Sequence, residues 1–246
     1  MGIVIVLAAA VATAVVAILL GRRRAAGESG GGVDFVNAAL AAVYLVLLAF
    51  NVVVCWERID GLNGDIRTEA GDVRALAGLT GDLPAPVGDQ VRADATDYAH
   101  AVLDREWPAT GEPLNAAAAI PIVKARQALA TVPGEDTPAA KARDQASDVL
   151  DDLTETRQDR ITSSAHGLPW ILNAVLALLT VVQLVTPLAL GLRRGLVGAL
   201  LAGVNTAVVV AGLLFVLDLN TPYSGVQAVD RTPLHAAARS VAGGTS

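Results

Sequence analysis

Four stretches without a single charged residue, 3–20, 35–56, 168–192 and 195–217, constrain this chain more than any other feature. They run from 18 to 25 residues. An α-helix rises about 1.5 Å per residue, so about 20 residues cross a hydrocarbon layer about 30 Å thick. A backbone in hydrocarbon must pair its own N–H and C=O groups, which a helix does within one segment. The runs therefore predict four transmembrane helices. Residues 57–167, between the second and third, are polar and show no strand-like alternation. The expected fold is all-α, four transmembrane helices with a helical soluble insert between helices two and three. The expected divisions are 1–56 (helices one and two with an Arg/Gly-rich loop), 57–167 (the insert), 168–217 (helices three and four) and 218–246 (a C-terminal tail). Charged residues make up only 17% of the chain, against about a quarter in soluble domains. A free-standing soluble enzyme and a disordered chain are excluded.

Charge divides along the same boundaries. Residues 57–167 hold 20 Asp/Glu and 11 Lys/Arg, net −9, and the remainder holds 4 and 7, net +3, which together give the −6 of the chain. There is no basic stripe of the kind a phosphate backbone requires, so nucleic acid is not an expected partner. The lipid bilayer is. The first run is followed, not preceded, by Arg22, Arg23 and Arg24, which marks a retained N-out anchor and not a cleaved leader. Arg193 and Arg194 stand in the short connection between runs three and four. Two crossings separate these connections, so they share a side, and positive residues place that side in the cytoplasm. The expectation is a multi-pass cell-membrane protein whose N-terminus, insert and C-terminus are extracytoplasmic.

Periodicity divides the insert into helices. Ile59, Leu62, Ile66, Val73 and Leu76 form an amphipathic stripe that continues helix two out of the membrane. Leu83-Pro84-Ala85-Pro86 breaks it. Val87, Val91, Tyr98 and Val102 trace a second helix, stopped by Pro108, and residues 114–130 a third, closed by Val132-Pro133-Gly134. Thr137-Pro138 opens a fourth, with threonine as N-cap and proline in the first turn, running to Ile161.

The chain carries little that resembles catalytic machinery. Cys55 is the single cysteine and His100, His166 and His235 are scattered, so no disulfide, thiolate cluster or metal-binding spacing is present. Asp94, Asp97, His100 and Asp104 partly share a helical face, which reads as a solvated polar face before it reads as a cation site. No cofactor, resident metal or enzymatic activity is expected. The membrane runs contain amides at Asn51, Asn173, Gln183 and Asn205. Such groups either tie helices together or line an aqueous path, and tying is the simpler role. At the edge of the membrane, Arg157 and Arg160 precede helix three and Asp218 follows helix four. A carboxylate there gains from a guanidinium. Asp218 is thus expected to pair with Arg157 or Arg160, or with backbone N–H groups of the turn containing Pro222, Tyr223 and Gly225, the alternative being a solvated carboxylate that starts an Asx-type turn.

Several fragments resemble the bestrophin-like family of bacterial membrane proteins, a domain of unknown function. They are Tyr98…Val102…Glu106-Trp107-Pro108, Leu153…Arg157-Gln158-Asp159-Arg160-Ile161, Leu168-Pro169-Trp170 and Asp218-Leu219-Asn220-Thr221-Pro222-Tyr223-Ser224-Gly225. The resemblance covers residues 35–234. It implies kinship with bestrophin anion channels, which are pentamers with four helices per subunit. Thr221-Pro222-Tyr223-Ser224-Gly225 stands where bestrophins carry Asn-Pro-Phe-Gly, and of the acidic run that follows there only Asp230 remains. The resemblance therefore does not extend to calcium gating. It also implies a cytosolic insert, opposite to the side indicated by the arginines. Two functions stand open at this point. One is an oligomeric, anion-channel-like transporter. The other is a non-transporting structural or sensory envelope protein whose acidic insert binds an extracytoplasmic protein partner.

Overall fold

A computed structural model describes residues 31–107, 116–134, 137–165, 169–190, 196–221, 223 and 227–243. Every regular element among them is helical. The α-helices are α1 (Gly31–Leu79), α2 (Ala85–Ala101), α3 (Ala119–Leu129), α4 (Pro138–Ala165), α5 (Trp170–Leu190), α6 (Leu196–Leu219) and α7 (Thr232–Gly243). Short 3-10 turns lie at Thr80–Asp82 and Ala116–Ala118, and a π turn at Val102–Glu106. The chain divides into two compact units.

The first unit comprises Met1–Glu57, Gly167–Thr221 and Gly225–Gln227. Two of the described helices are long and apolar enough to cross a membrane, within Ala38–Asp82 and Leu200–Leu219, and α5 contributes the shorter apolar stretch Trp170–Thr186. Of α1, only the uncharged residues 35–56 suit hydrocarbon, because residues 57–79 carry eight ionisable Asp, Glu and Arg side chains. Among the described residues, the four expected transmembrane helices are thus represented by two helices long enough to cross and one shorter apolar helix. The expected helix over residues 3–20 lies outside the described residues. Within the unit, the Tyr44 hydroxyl donates to the Val209 carbonyl at 2.7 Å, joining α1 to α6. Their close approach rests on Gly212, where a Cβ would stand 2.8 Å from a Leu48 methyl and 3.1 Å from the Tyr44 oxygen. Thr180, Gln183 and Thr206 are buried here. Thr180 and Thr186 return their hydroxyls to carbonyls one turn back, at 2.9 and 2.7 Å, the usual way a hydroxyl is satisfied within a helix.

The second unit comprises Arg58–His166, Pro222–Ser224 and Ala228–Ser246. All five stripe residues of α1 (Ile59, Leu62, Ile66, Val73 and Leu76) are buried, as their spacing predicts. The proline-rich break follows α1, with Leu83 and Pro84 extended. Thr137 caps α4 through its hydroxyl, which accepts from the Ala140 N–H at 3.1 Å. The tail holds a helix where none was expected. Leu234, Ala237, Ala238 and Val241 of α7 are buried, and α7 packs against α2. Its start is anchored twice. Asp230 accepts from the Thr232 N–H at 2.9 Å, and the Asp230 N–H donates to the Asn63 side chain of α1 at 2.9 Å.

Candidate functional site

The apolar stripe of α1 skips the turn between Ile66 and Val73, and at that turn Glu69 is 0% exposed. On α4 the inward stripe of Leu150 and Leu153 continues into Arg157 and Arg160. The π turn after α2 supplies the fourth charge. Its extra residue, closed by the Trp107 N–H on the Val102 carbonyl at 2.9 Å, slows the helical rotation. Glu106 consequently faces inward while Arg105 stays exposed. Such single π turns are frequent at functional sites.

These side chains form one connected network inside the second unit. Arg160 donates to both oxygens of Glu69, Nε to Oε2 at 2.6 Å and Nη2 to Oε1 at 3.2 Å, and the same Nη2 reaches Glu106 Oε2 at 2.9 Å. Arg157 donates to the other Glu106 oxygen, from Nε at 3.2 Å and Nη2 at 2.5 Å. The Tyr98 hydroxyl donates to Glu69 Oε1 at 2.5 Å. Two carboxylates face two guanidiniums, so the buried charges cancel. The arrangement answers the desolvation cost by bidentate geometry. Burial alone would weaken the Arg160 cation, but the Glu69 carboxylate and its hydrogen bonds hold it above its ordinary value. Burial, and then the Glu69 charge, push the Tyr98 hydroxyl well up, so it remains a proton donor to that carboxylate.

Trp107 extends the network. It is 1% exposed, meets the Tyr223 ring edge-on at 5.0 Å and 72°, and lies under the Arg231 guanidinium 5.1 Å from the ring centre. Its Nε1–H is buried without a hydrogen-bond partner.

The expected site residues distribute as follows. Arg157, Arg160 and Tyr223 come together in the second unit, but the two arginines take Glu106 and Glu69 as partners. Asp218, at the end of α6, presents its backbone carbonyl to the Thr221 N–H at 3.0 Å and hydroxyl at 2.7 Å. Pro222 and Gly225 lie outside the described residues. Among the membrane amides, Asn51 Oδ1, Asn173 Oδ1 and Gln183 Nε2 are buried without partners, and Asn205 is half-buried. The solvated-face reading of Asp94 needs correction. It is 2% exposed, bonded to Gln90 at 3.0 Å, because it falls one turn from both Val91 and Tyr98 on the inward face. Burial raises its carboxyl. Asp97, His100 and Asp104 are exposed, and no group of three or more metal-ligating side chains assembles among the described residues. Glu69 and Glu106 escaped the sequence reading as site residues. Glu69 carried a partial signal, its place in the gap of an apolar stripe that needs an inward residue at 69 or 70, whereas Glu106 carried none, because its inward orientation comes from the π turn.

The family model for the bestrophin-like domain matches residues 3–234. The chain belongs to the bestrophin-like family. Solved structures share the fold of this bestrophin-like protein from end to end. A bacterial bestrophin homologue from Klebsiella pneumoniae carrying a Tyr-to-Ala substitution superposes with a TM-score of 0.75 at 11% identity, over 98% of each chain. A Leu-to-Thr variant of the homologue from the same organism gives 0.74 at 12% identity over 100% of each chain. A structure described as a membrane protein, with a Pro-to-Ala substitution, gives 0.72 at 11% identity over 96% of this chain and 97% of that one. No curated protein matches. Family and fold together make this a bestrophin-like membrane protein.

Proposed function

We propose that this bestrophin-like protein is an oligomeric, multi-pass membrane protein that conducts anions. The observation carrying the reading is the likeness to bacterial bestrophin homologues over 98% of both chains, which is a likeness of the entire subunit and not of one module. The membrane amides support it further. An amide that only ties helices together has its polar atoms paired, whereas Gln183 is 3% exposed with an unpartnered Nε2. A buried N–H donor without a partner costs about 1–3 kcal/mol, and a passing anion or water would satisfy it. Exposed apolar residues of α1, α5 and α6, among them Val46, Phe50, Leu178 and Val204, suit lipid or neighbouring subunits. With residues 3–20 as a further helix, four segments cross the bilayer, and the arginines of the connections put the N-terminus, residues 57–167 and the C-terminus outside the cytoplasm.

Chloride flux into liposomes holding the purified protein tests this reading. Flux above that of empty liposomes, reduced by Gln183→Leu without loss of folded protein, is the expected result. Flux indistinguishable from empty liposomes across pH and calcium overturns conduction. It would leave the partner-binding reading, in which the net −9 segment 57–167 captures a protein outside the cytoplasm.

A further inference from the structure

Trp107 and Arg231, both in the second unit, meet as donors without an acceptor. Trp107 is 1% exposed, and its Nε1–H has no hydrogen-bond partner. An indole offers that one donor and no acceptor, and a buried donor left unpaired is expensive. Over the face of the same ring stands the Arg231 guanidinium, 5.1 Å from the ring centre. A guanidinium too has only donors. Among the described residues Arg231 meets no carboxylate within ion-pair distance. It is exposed, so its side of the indole is open to solute. The carboxylates next to these two residues in sequence are engaged. Asp230 accepts from the Thr232 N–H at 2.9 Å, and Glu106 is held by Arg157 and Arg160. Glu69 and Glu106 already balance Arg157 and Arg160, so the charge of Arg231 is an excess beside that cluster. The Tyr223 ring, 5.0 Å from the indole, adds a further wall.

We propose that Trp107 and Arg231 hold a small inorganic anion, chloride or one of its size, which accepts from the indole N–H and from the guanidinium together. The indole N–H lies in the plane of the ring and the guanidinium stands above its face. An acceptor about 3 Å from each therefore sits at the nitrogen edge of the ring, entered from the Arg231 side. The donor set selects the class of ligand. A cation meets only positive hydrogens there, and a water satisfies the N–H but leaves the guanidinium charge unbalanced. A bond from an ionised partner is also the stronger kind. With Trp107 this closely covered, the room suits a small anion and not a polyanion. Occupation has a structural consequence. Arg231 immediately precedes α7 and Trp107 closes the π turn that orients Glu106, so the anion staples the start of the tail helix to that turn. The site binds whether or not the protein conducts, and its test reads no flux.

Thermal unfolding of the full chain in detergent, at one pH and constant ionic strength with gluconate exchanged stepwise for chloride, tests the site. The melting temperature is expected to rise with chloride and to level off, gaining about 3 °C once chloride exceeds its half-saturating concentration about tenfold. Trp107→Phe keeps a ring beneath Arg231 and beside Tyr223 but removes the N–H, and is expected to lose most of that gain. Arg231→Gln changes an exposed side chain, and so reports even where the Trp107 variant does not fold. It is expected to raise the half-saturating chloride concentration about tenfold or more. A wild-type protein that melts alike in the two salts overturns the site. So does a Trp107→Phe protein that keeps the full gain, or an Arg231→Gln protein whose half-saturation is unmoved. A response that never levels off and is shared by both variants is a general salt effect and overturns it equally.

Discussion

Glu69 is the residue on which most of the second unit's polar chemistry converges. It accepts from Arg160 of α4 and from Tyr98 of α2, so one carboxylate ties three helices. A buried ion pair of this kind adds little stability over a well-packed apolar pair, but removing one partner leaves an uncompensated charge. Glu69→Ala is accordingly expected to cost about 3–5 kcal/mol, and Glu69→Met with Arg160→Met to recover most of that loss. Denaturant unfolding followed by tryptophan fluorescence measures both, and a double variant no better than Glu69→Ala would contradict the assignment. The residue was half legible. Between Ile66 and Val73 the periodicity demands something inward at 69 or 70, but periodicity does not reveal that a carboxylate fills the place, because no partner lies within its own helix.

The elements of the insert were the most legible part of the chain. The break at Leu83-Pro84 and the Thr137-Pro138 start both stand where turn chemistry places them, since Pro and capping hydroxyls act on the nearest few residues. Helix α7 was not read, because its inward face is half alanine (Ala237 and Ala238 beside Leu234 and Val241) and carries a weak apolar signal. Close packing of elements is equally silent in sequence. At Gly88 of α2 a Cβ would collide with the Thr80 carbonyl of the 3-10 turn, whose hydroxyl Arg92 also binds at 2.6 and 3.1 Å. A clash with backbone cannot relax by a rotamer change. Gly88→Ala is expected to destabilise by about 1–3 kcal/mol. Gly61→Ala on α1, where nothing stands within 4 Å, should stabilise by about 0.5–1 kcal/mol through helix propensity. Unfolding midpoints of the two variants moving in the same direction would refute the contrast.

For the whole molecule, the proposal that residues 57–167 lie outside the cytoplasm rests on arginine placement and has a direct test. A cysteine placed at exposed Ala130, in a Cys55→Ala background, should react with an impermeant maleimide in intact cells. Labelling only after lysis would reverse the orientation and bring the insert into the cytosol, as the likeness to bestrophins implies. The sequence by itself determined the helical class, the membrane character and the helices of residues 57–167, because hydrophobic run length, periodicity and proline punctuation act over one or two turns. It also carried enough of Glu106-Trp107, Arg157…Arg160 and Asn220…Gly225 to reveal the family. Only the tertiary structure decided that Arg160 turns to Glu69, 91 residues away, and Arg157 to Glu106, 51 residues away. A guanidinium has no preference among carboxylates until packing brings one within reach and withdraws both from water.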